Sequence, residues 1–438
     1  MSNIKEIYIE SSIGCLNKFS LDLENYDANK FNLFVIIGSN GSGKSTFLDT
    51  LYSIARTDVV AEIPTKFNIG FDDTENYWGN IDLNENKKEK LKNPWDMVIR
   101  YYTGNSKRVN NIEYEYIANT CMSFCRDDLK WVLAACFISG AWVNSDNAFI
   151  KDTLNSILFY KKNTFSPERI YIELKTKNSK LIEKLPDDVQ IEEDGTKLSW
   201  KIKERNNFDI SSILNTLLEN KSIIDNIYFL YKKGGCPNLL PDETLSDGEL
   251  GLIRRASLIT YIKEFKNKKC LILLDEPETH FNENWKRHFI YLIKEALKDT
   301  YHDVFIATHS AMLITDVKRD ELYHFELVND KIKTFPVCLN TYATNIVDIG
   351  KALFDLEADI GEGSKHEIEA ALKGVKEIKQ DEKDEESISL KDQKEKLKEL
   401  LEQVGPGEWR WKIRSKLNQI DKHENCPYLL NKDKEEKQ

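Results

Sequence analysis

The sequence predicts an α/β protein: a sheet with parallel strands that carries a phosphate-binding loop, interrupted by a mainly helical insertion and followed by a charged helical tail. Three observations carry this. The apolar run Phe31 to Ile37 stops directly before Gly38-Ser39-Asn40-Gly41-Ser42-Gly43-Lys44-Ser45-Thr46, which fits G-x-x-x-x-G-K-[ST] without a mismatch, and a helical pattern follows. Two further unbroken apolar runs, Cys270 to Leu274 and Val304 to Thr308, read as parallel strands buried on both faces. They end in Asp275-Glu276 and in His309-Ser310, so they deliver polar groups at their C-terminal ends.

Ahead of the loop, Ile7 to Glu10 and Phe19 to Leu23 alternate in the period-two manner of an antiparallel pair, with a turn-like Gly14 region between them. Residues 59–92 are polar and turn-rich. Met97 to Tyr102 is another strand candidate, ending in Thr103-Gly104-Asn105 and facing the nucleotide if the sheet is parallel. Helical patterns over Leu129 to Ala135 and Ile150 to Tyr160 come next. The runs Arg169 to Leu174 and Leu198 to Ile202 then flank the turn Asp194-Gly195 as a hairpin. Leu245-Ser246-Asp247-Gly248-Glu249 opens a helix whose apolar positions Leu252, Ile253, Ala256, Ile259 and Ile262 recur at helical spacing. Ser246 is its N-cap and Glu249 completes a capping box, a role that needs no function beyond starting the helix.

After Leu353 the composition changes. Residues 367–378 and 390–404 read as charged helices separated by the acidic run Asp381 to Glu386, and Gly405-Pro406-Gly407 ends the second. Trp409, Ile413, Leu417 and Ile420 share one face of a last helix. The expected organisation is residues 1–105 and 241–355 as two parts of one nucleotide-binding sheet, 106–240 as an inserted subdomain, and 356–438 as the tail.

With 438 residues and 41% hydrophobic side chains the chain has the composition of a globular protein. Its formal charge of −11 argues against a protein that coats nucleic acid along its whole surface. No apolar run reaches bilayer length and Met1 to Glu6 lacks a secretion signal's apolar core, so a cytoplasmic, membrane-free protein is expected. Eight cysteines without regular spacing fit reduced thiols. Cys121/Cys125 and His423/Cys426 could each be half a zinc site, but neither has a second pair at finger-like spacing.

The chemistry converges on a nucleotide. A glycine-rich loop lets backbone N–H groups turn inward, and the helix N-terminus adds positive potential for the β- and γ-phosphates. Lys44 would bridge those phosphates and Ser45 would ligate Mg²⁺. Asp275 has the placement of a carboxylate holding Mg²⁺ through its water shell, Glu276 that of the group polarising the attacking water, and His309 that of a γ-phosphate contact.

Together, the loop 38–46, Leu245 to Glu249, Leu271 to Glu276 and Thr308-His309-Ser310 make the chain resemble an ATP-binding-cassette ATPase of the SMC and RecF branch, over roughly residues 1–350. The resemblance implies ATP and Mg²⁺ as cofactors. It also implies a homodimer in which the signature residues Ser246, Asp247, Gly248 and Glu249 act in trans on a nucleotide held in cis by residues 38–46, Asp275, Glu276 and His309. The chain departs from the family where Asp247 and Glu249 replace the usual Gly and Gln, and where no Gln precedes Gln190. Within the branch, the Asp-Glu-Pro-Glu-Thr-His run 275–280, the strand ending at Gly104, Thr341 to Ile346 and Leu353-Phe354 resemble the PtuA-like ATPases of Septu antiphage systems, some retron-linked. That resemblance implies a regulator of a separate HNH nuclease, with a retron reverse transcriptase and its msDNA as further candidates and DNA binding left open. The alternatives are a RecF- or SMC-like repair ATPase and an OLD-like ATPase–nuclease. The former would want a long coiled coil or basic groove. Against the latter, Ile360 to Ser364 lacks the strands of a Toprim motif. A transporter subunit is disfavoured by the large insertion.

Overall fold

The computed structural model describes residues 3–11, 16–23, 25–56, 63, 65–72, 76–81, 89–90, 92–102, 121–143, 148–158, 165–202, 208–234, 236–354, 360–373 and 390–424. The chain divides into two units, residues 1–355 and 356–438. The Gly14 turn, Thr103-Gly104-Asn105, Tyr160, the acidic run 381–386 and Cys426 lie outside the described residues.

In order, the strands of the first unit are β1 (Ile4–Ser11), β2 (Asn17–Asp22), β3 (Asn32–Ile37), β4 (Lys66–Phe71), β5 (Asn76–Gly79), β6 (Glu89–Lys90), β7 (Met97–Tyr102), β8 (Cys121–Cys125), β9 (Phe165–Leu174), β10 (Gln190–Glu192), β11 (Lys197–Lys201), β12 (Ile224–Lys233), β13 (Leu240–Pro241), β14 (Cys270–Asp275), β15 (Asp303–Ala307), β16 (Leu322–Val328) and β17 (Lys331–Phe335). Its helices are α1 (Lys44–Ala55), α2 (Leu129–Ser139), α3 (Ala148–Leu158), α4 (Ser179–Glu183), α5 (Ile210–Glu219), α6 (Asp247–Lys263), α7 (Glu283–Leu297) and α8 (Ile346–Leu353).

A seven-stranded sheet, ordered β17-β16-β3-β15-β14-β7-β8, organises the unit. All its pairings are parallel except β16 with β17, as expected for strands connected by crossovers. Side chains alternate between its faces. Leu33, Val35, Ile37, Ile272, Leu274, Val304 and Ile306 enter one apolar cluster, together with α2, α6 and α7. Phe34, Ile36, Leu271, Leu273, Phe305 and Ala307 enter the other, with Phe47, Leu48 and Leu51 of α1 and a sheet ordered β2-β1-β4-β5-β6, antiparallel except for the pairing of β5 with β6. Unbroken apolar runs therefore form the centre because both faces are covered.

The stretch expected to be mainly helical contributes a five-stranded antiparallel sheet, β10-β11-β9-β12-β13, as well as α2 to α5. The Asp194-Gly195 turn joins β10 to β11, whereas β9 pairs with β11 from across a longer connection. The two apolar runs are thus antiparallel neighbours, as expected of a hairpin, but the tight turn belongs to β10 and β11, because the three-residue, exposed β10 has no apolar period. The inner face of this sheet (Ile170, Ile172, Leu198, Trp200, Phe229) joins the same cluster as α6.

The second unit holds α9 (Glu362–Lys373), α10 (Leu390–Gln403) and α11 (Glu408–Glu424). Ile368, Ala371, Leu397, Leu400, Ile413, Leu417 and Ile420 form its core. Gln393 donates to the Ala371 carbonyl (2.8 Å) and Arg410 to that of Leu401 (2.6 Å), satisfying carbonyls at helix C-termini. Trp409 packs on this core under Lys412, so of the two tryptophans only Trp411, 68% exposed, stands open.

Below the sheet's N-terminal edge, the fully buried Asp303 accepts from Tyr26 (2.9 Å), Trp95 (2.7 Å) and Asn32 (2.8 Å), with Lys269 at 3.7 Å. Burial pushes its carboxyl up, opposed first by Lys269. Asp303→Ala would strand these donors, so chemical denaturation should show a loss of about 3–5 kcal/mol. A loss under about 1 kcal/mol would mean the cluster relaxes into solvent.

Candidate nucleotide site

The site is assembled at the C-terminal edge of β3, β15 and β14. Gly38 leaves β3 against β16: a Cβ there would lie 2.2 Å from the Phe325 carbonyl oxygen, so no side chain fits. Gly43, at φ +86°, caps α1. Ser39, Asn40, Gly41 and Ser45 are exposed, Gly43 and Thr46 half-buried, and Ser42 and Lys44 buried. Lys44 donates from Nζ to the carbonyls of Gly38 (2.9 Å) and Ser39 (3.0 Å), which folds its ammonium back over the loop. Burial lowers its pKa, opposed by Glu276 and Asp275.

Ser45 donates its hydroxyl to Asp275 Oδ1 at 3.1 Å. Hydroxyl and carboxylate oxygens are the donors Mg²⁺ takes, so Ser45 and Asp275 could hold that ion, Asp275 through its water shell. The other Asp275 oxygen accepts from Arg100 Nη2 (3.3 Å), and the same nitrogen donates to Asp49 Oδ1 of α1 (2.8 Å). Burial raises the Asp275 pKa and Arg100 opposes the rise. Arg100 is only 2% exposed and stands on the α1 face of β7, which explains why it meets Asp49. Its signal was present in the sequence, since an arginine inside an apolar central strand must be paired when buried.

Glu276 is held at φ +45°, a region costly for a side chain of its kind, with its N–H bonded to the Ala307 carbonyl (2.8 Å). This turn brings its carboxylate onto His309 Nε2. Lys44, Ser45, Asp275, Glu276 and His309 are thus brought to one edge of the sheet. Glu278, three residues beyond Asp275, is buried beside Thr308 and was given no role by sequence reasoning.

The signature residues lie elsewhere. Ser246 caps α6, donating to Glu249 Oε2 (2.8 Å) and accepting from the Glu249 N–H (3.3 Å), so the capping box forms. Ser246 and Asp247 are exposed. Gly248 is seated on the loop after Asp275: a Cβ would lie 2.6 Å from Trp285 and 3.1 Å from the His280 carbonyl. Arg255 holds that loop too, donating to the Thr279 carbonyl (3.1 Å) while stacking on Phe281. Because α6 packs on one face of the central sheet and α1 on the other, Ser246 and Lys44 are not brought together within the chain.

These features make a P-loop phosphate site on an α/β sheet. A family profile described as "AAA domain, putative AbiEii toxin, Type IV TA system" matches residues 33–93. No curated protein matches the chain significantly. Among solved structures, the chain is similar to the SMC head domain from Thermotoga maritima, at 14% identity and TM-score 0.37, over 77% of this chain and 100% of that one. It is also similar to an Smc head domain with an extended coiled coil bound to the C-terminal domain of ScpA, from Pyrococcus furiosus, at 11% identity and TM-score 0.36, over 82% and 100%. A third is a nucleotide-free ATP-binding cassette from an ABC transporter, at 16% identity and TM-score 0.31, over 82% and 100%. Likenesses this distant decide nothing about activity. Among the described residues, no helix is long and apolar enough to cross a membrane.

Arg100→Ala should lower Mg²⁺-dependent nucleotide affinity about tenfold or more, since it removes the group orienting the carboxylate that would hold Mg²⁺. Titrating Mg²⁺ against a fluorescent ATP analogue measures this, and unchanged affinity would mean that Ser45 alone orients Asp275.

Proposed function

We propose that the chain is an ATP-hydrolysing, ABC-type ATPase of the SMC and RecF branch that works as a head-to-tail homodimer with two composite sites. The observation that carries this reading is the convergence of Lys44, Ser45, Asp275, Glu276 and His309 on one sheet edge while α6, which the signature residues open, packs on the sheet face opposite α1. Ser45 and Asp275 would hold Mg²⁺, which when bound would offset phosphate charge. Lys44 would turn from the loop carbonyls to the β- and γ-phosphates. Glu276, kept in place by His309, would orient the attacking water and take its proton. Ser246 and Gly248 of a second copy would close the site, as one set of motifs per chain requires.

Glu276→Gln should therefore bind ATP as wild type does but hydrolyse it at least about 100-fold more slowly in steady-state assays. Lys44→Ala should lose binding. Mixing Lys44→Ala with Ser246→Arg subunits leaves one intact site in a mixed dimer, so partial activity should return. No recovery in confirmed heterodimers would rule out composite sites.

The finer reading is a regulator in antiphage defence of the PtuA-like, Septu type, controlling a separate HNH nuclease, with a retron reverse transcriptase and msDNA as partners in linked systems. It is supported by the nucleotide site together with the run Asp275 to His280 and Thr341 to Ile346, on which the resemblance to PtuA-like ATPases rests. The candidate docking element is the unit 356–438, where Trp411 is exposed among charges. Removing residues after Gly361 should abolish co-purification with a nuclease encoded alongside, and protection from phage, while ATP binding persists. Retained co-purification, or DNA cutting by the purified chain alone with Mg²⁺, would overturn this and favour the OLD-like alternative.

A further inference from the structure

Glu278 lies in the run Asp275-Glu276-Pro277-Glu278, and nothing above gives it work to do. It is 5% exposed. Its Oε1 accepts the hydroxyl of Thr308, while Oε2 is enclosed without a hydrogen-bond partner. Burial pushes its carboxyl up to about 7, with the Thr308 bond opposing. A half-satisfied buried carboxyl costs stability, and a well-packed apolar side chain would not. Such a group is kept where geometry depends on it.

Its partner shows which geometry. The Thr308 N–H donates to the Ile36 carbonyl (3.0 Å), two residues before Gly38, and its hydroxyl accepts from the Ser310 N–H (2.9 Å). Thr308 therefore stands between the phosphate loop and the turn that aims His309. On the other side, the Phe281 N–H donates to the Glu278 carbonyl (2.9 Å) and the Thr279 N–H to that of Glu276 (3.1 Å), closing a tight loop behind Glu276. The backbone bond from Glu276 to Ala307 crosses between these strand ends, and Glu278 to Thr308 is a side-chain bond that crosses beside it.

We propose that Glu278 is a positioning residue for hydrolysis: through Thr308 it fixes the end of β15 against the loop after β14, so that His309 meets the Glu276 carboxylate. The inference rests on the ATPase reading above. What Glu278 requires of Thr308 is a hydroxyl, not bulk, and that separates positioning from packing. Thr308→Val keeps the shape and loses the hydroxyl, whereas Thr308→Ser keeps the hydroxyl and loses a methyl group. Glu278→Gln keeps the acceptor oxygen and Glu278→Ala does not.

The experiment compares these four full-length variants, and the double variant Thr308→Val with Glu278→Ala, for kcat, KM and equilibrium binding of a fluorescent ATP analogue, with melting curves to confirm folding. Thr308→Val and Glu278→Ala should each lower kcat about tenfold or more with affinity within about threefold, because misplacement of catalytic groups by about 1 Å can cost 100-fold. Thr308→Ser and Glu278→Gln should recover most of kcat, and Thr308→Val with Glu278→Ala should be no worse than either alone. Wild-type kcat in Thr308→Val, failure of Thr308→Ser to recover, or additive losses would each overturn the inference. Crystal structures of Thr308→Val and Thr308→Ser give a readout without turnover: the contact between His309 and Glu276 should open in the first and persist in the second. If the wild-type chain does not hydrolyse ATP, the ATPase reading fails, and the crystal comparison still decides whether Glu278 positions His309.

Discussion

The constraint on which the rest depends is a sheet covered on both faces. Inside it a polar side chain without a partner is costly, so strands β3, β14 and β15 are apolar between their end residues, with Asn32 and Asp303 opening β3 and β15 and Asp275 closing β14. Polar groups gather where the strands end, and parallel pairing puts those ends along one edge. The same covering separates the helices that begin at that edge. Helix α1, which follows the loop 38–46, and α6, which Ser246 caps, pack on opposite faces of that layer.

Much of this was legible in the sequence, for local reasons. The loop 38–46 is a contiguous motif, and the Ser246/Glu249 capping box spans one helical turn, so both can be read without knowing the fold. Contacts that cross the chain were not legible. Arg100 meets Asp49 from 51 residues away and Asp275 from 175, so its place in an apolar strand announces the need for a partner but not which one. The strained turn at Glu276 and the enclosed oxygen of Glu278 depend on β15 lying alongside. Between β9 and β11, a turn signal was legible but its owner was not, because β10 is too short to show a period.

The second unit illustrates a different limit. Helical spacing put Trp409 with Ile413, Leu417 and Ile420, and these do form one face of α11. Spacing alone could not say that this face is consumed by α9 and α10, which leaves Trp411 as the exposed aromatic. An amphipathic stripe states that something covers it and is silent on what.

Arg100 has a consequence for the ionic environment of the site. Its guanidinium is shared between Asp275, whose side chain is 13% exposed, and Asp49, whose side chain is 66% exposed. Dissolved salt screens the exposed half of that triad far more than the enclosed half. Raising ionic strength therefore weakens the hold of Arg100 on Asp49 more than its hold on Asp275, so the link from β7 to the carboxylate beside Ser45 outlasts the link to α1.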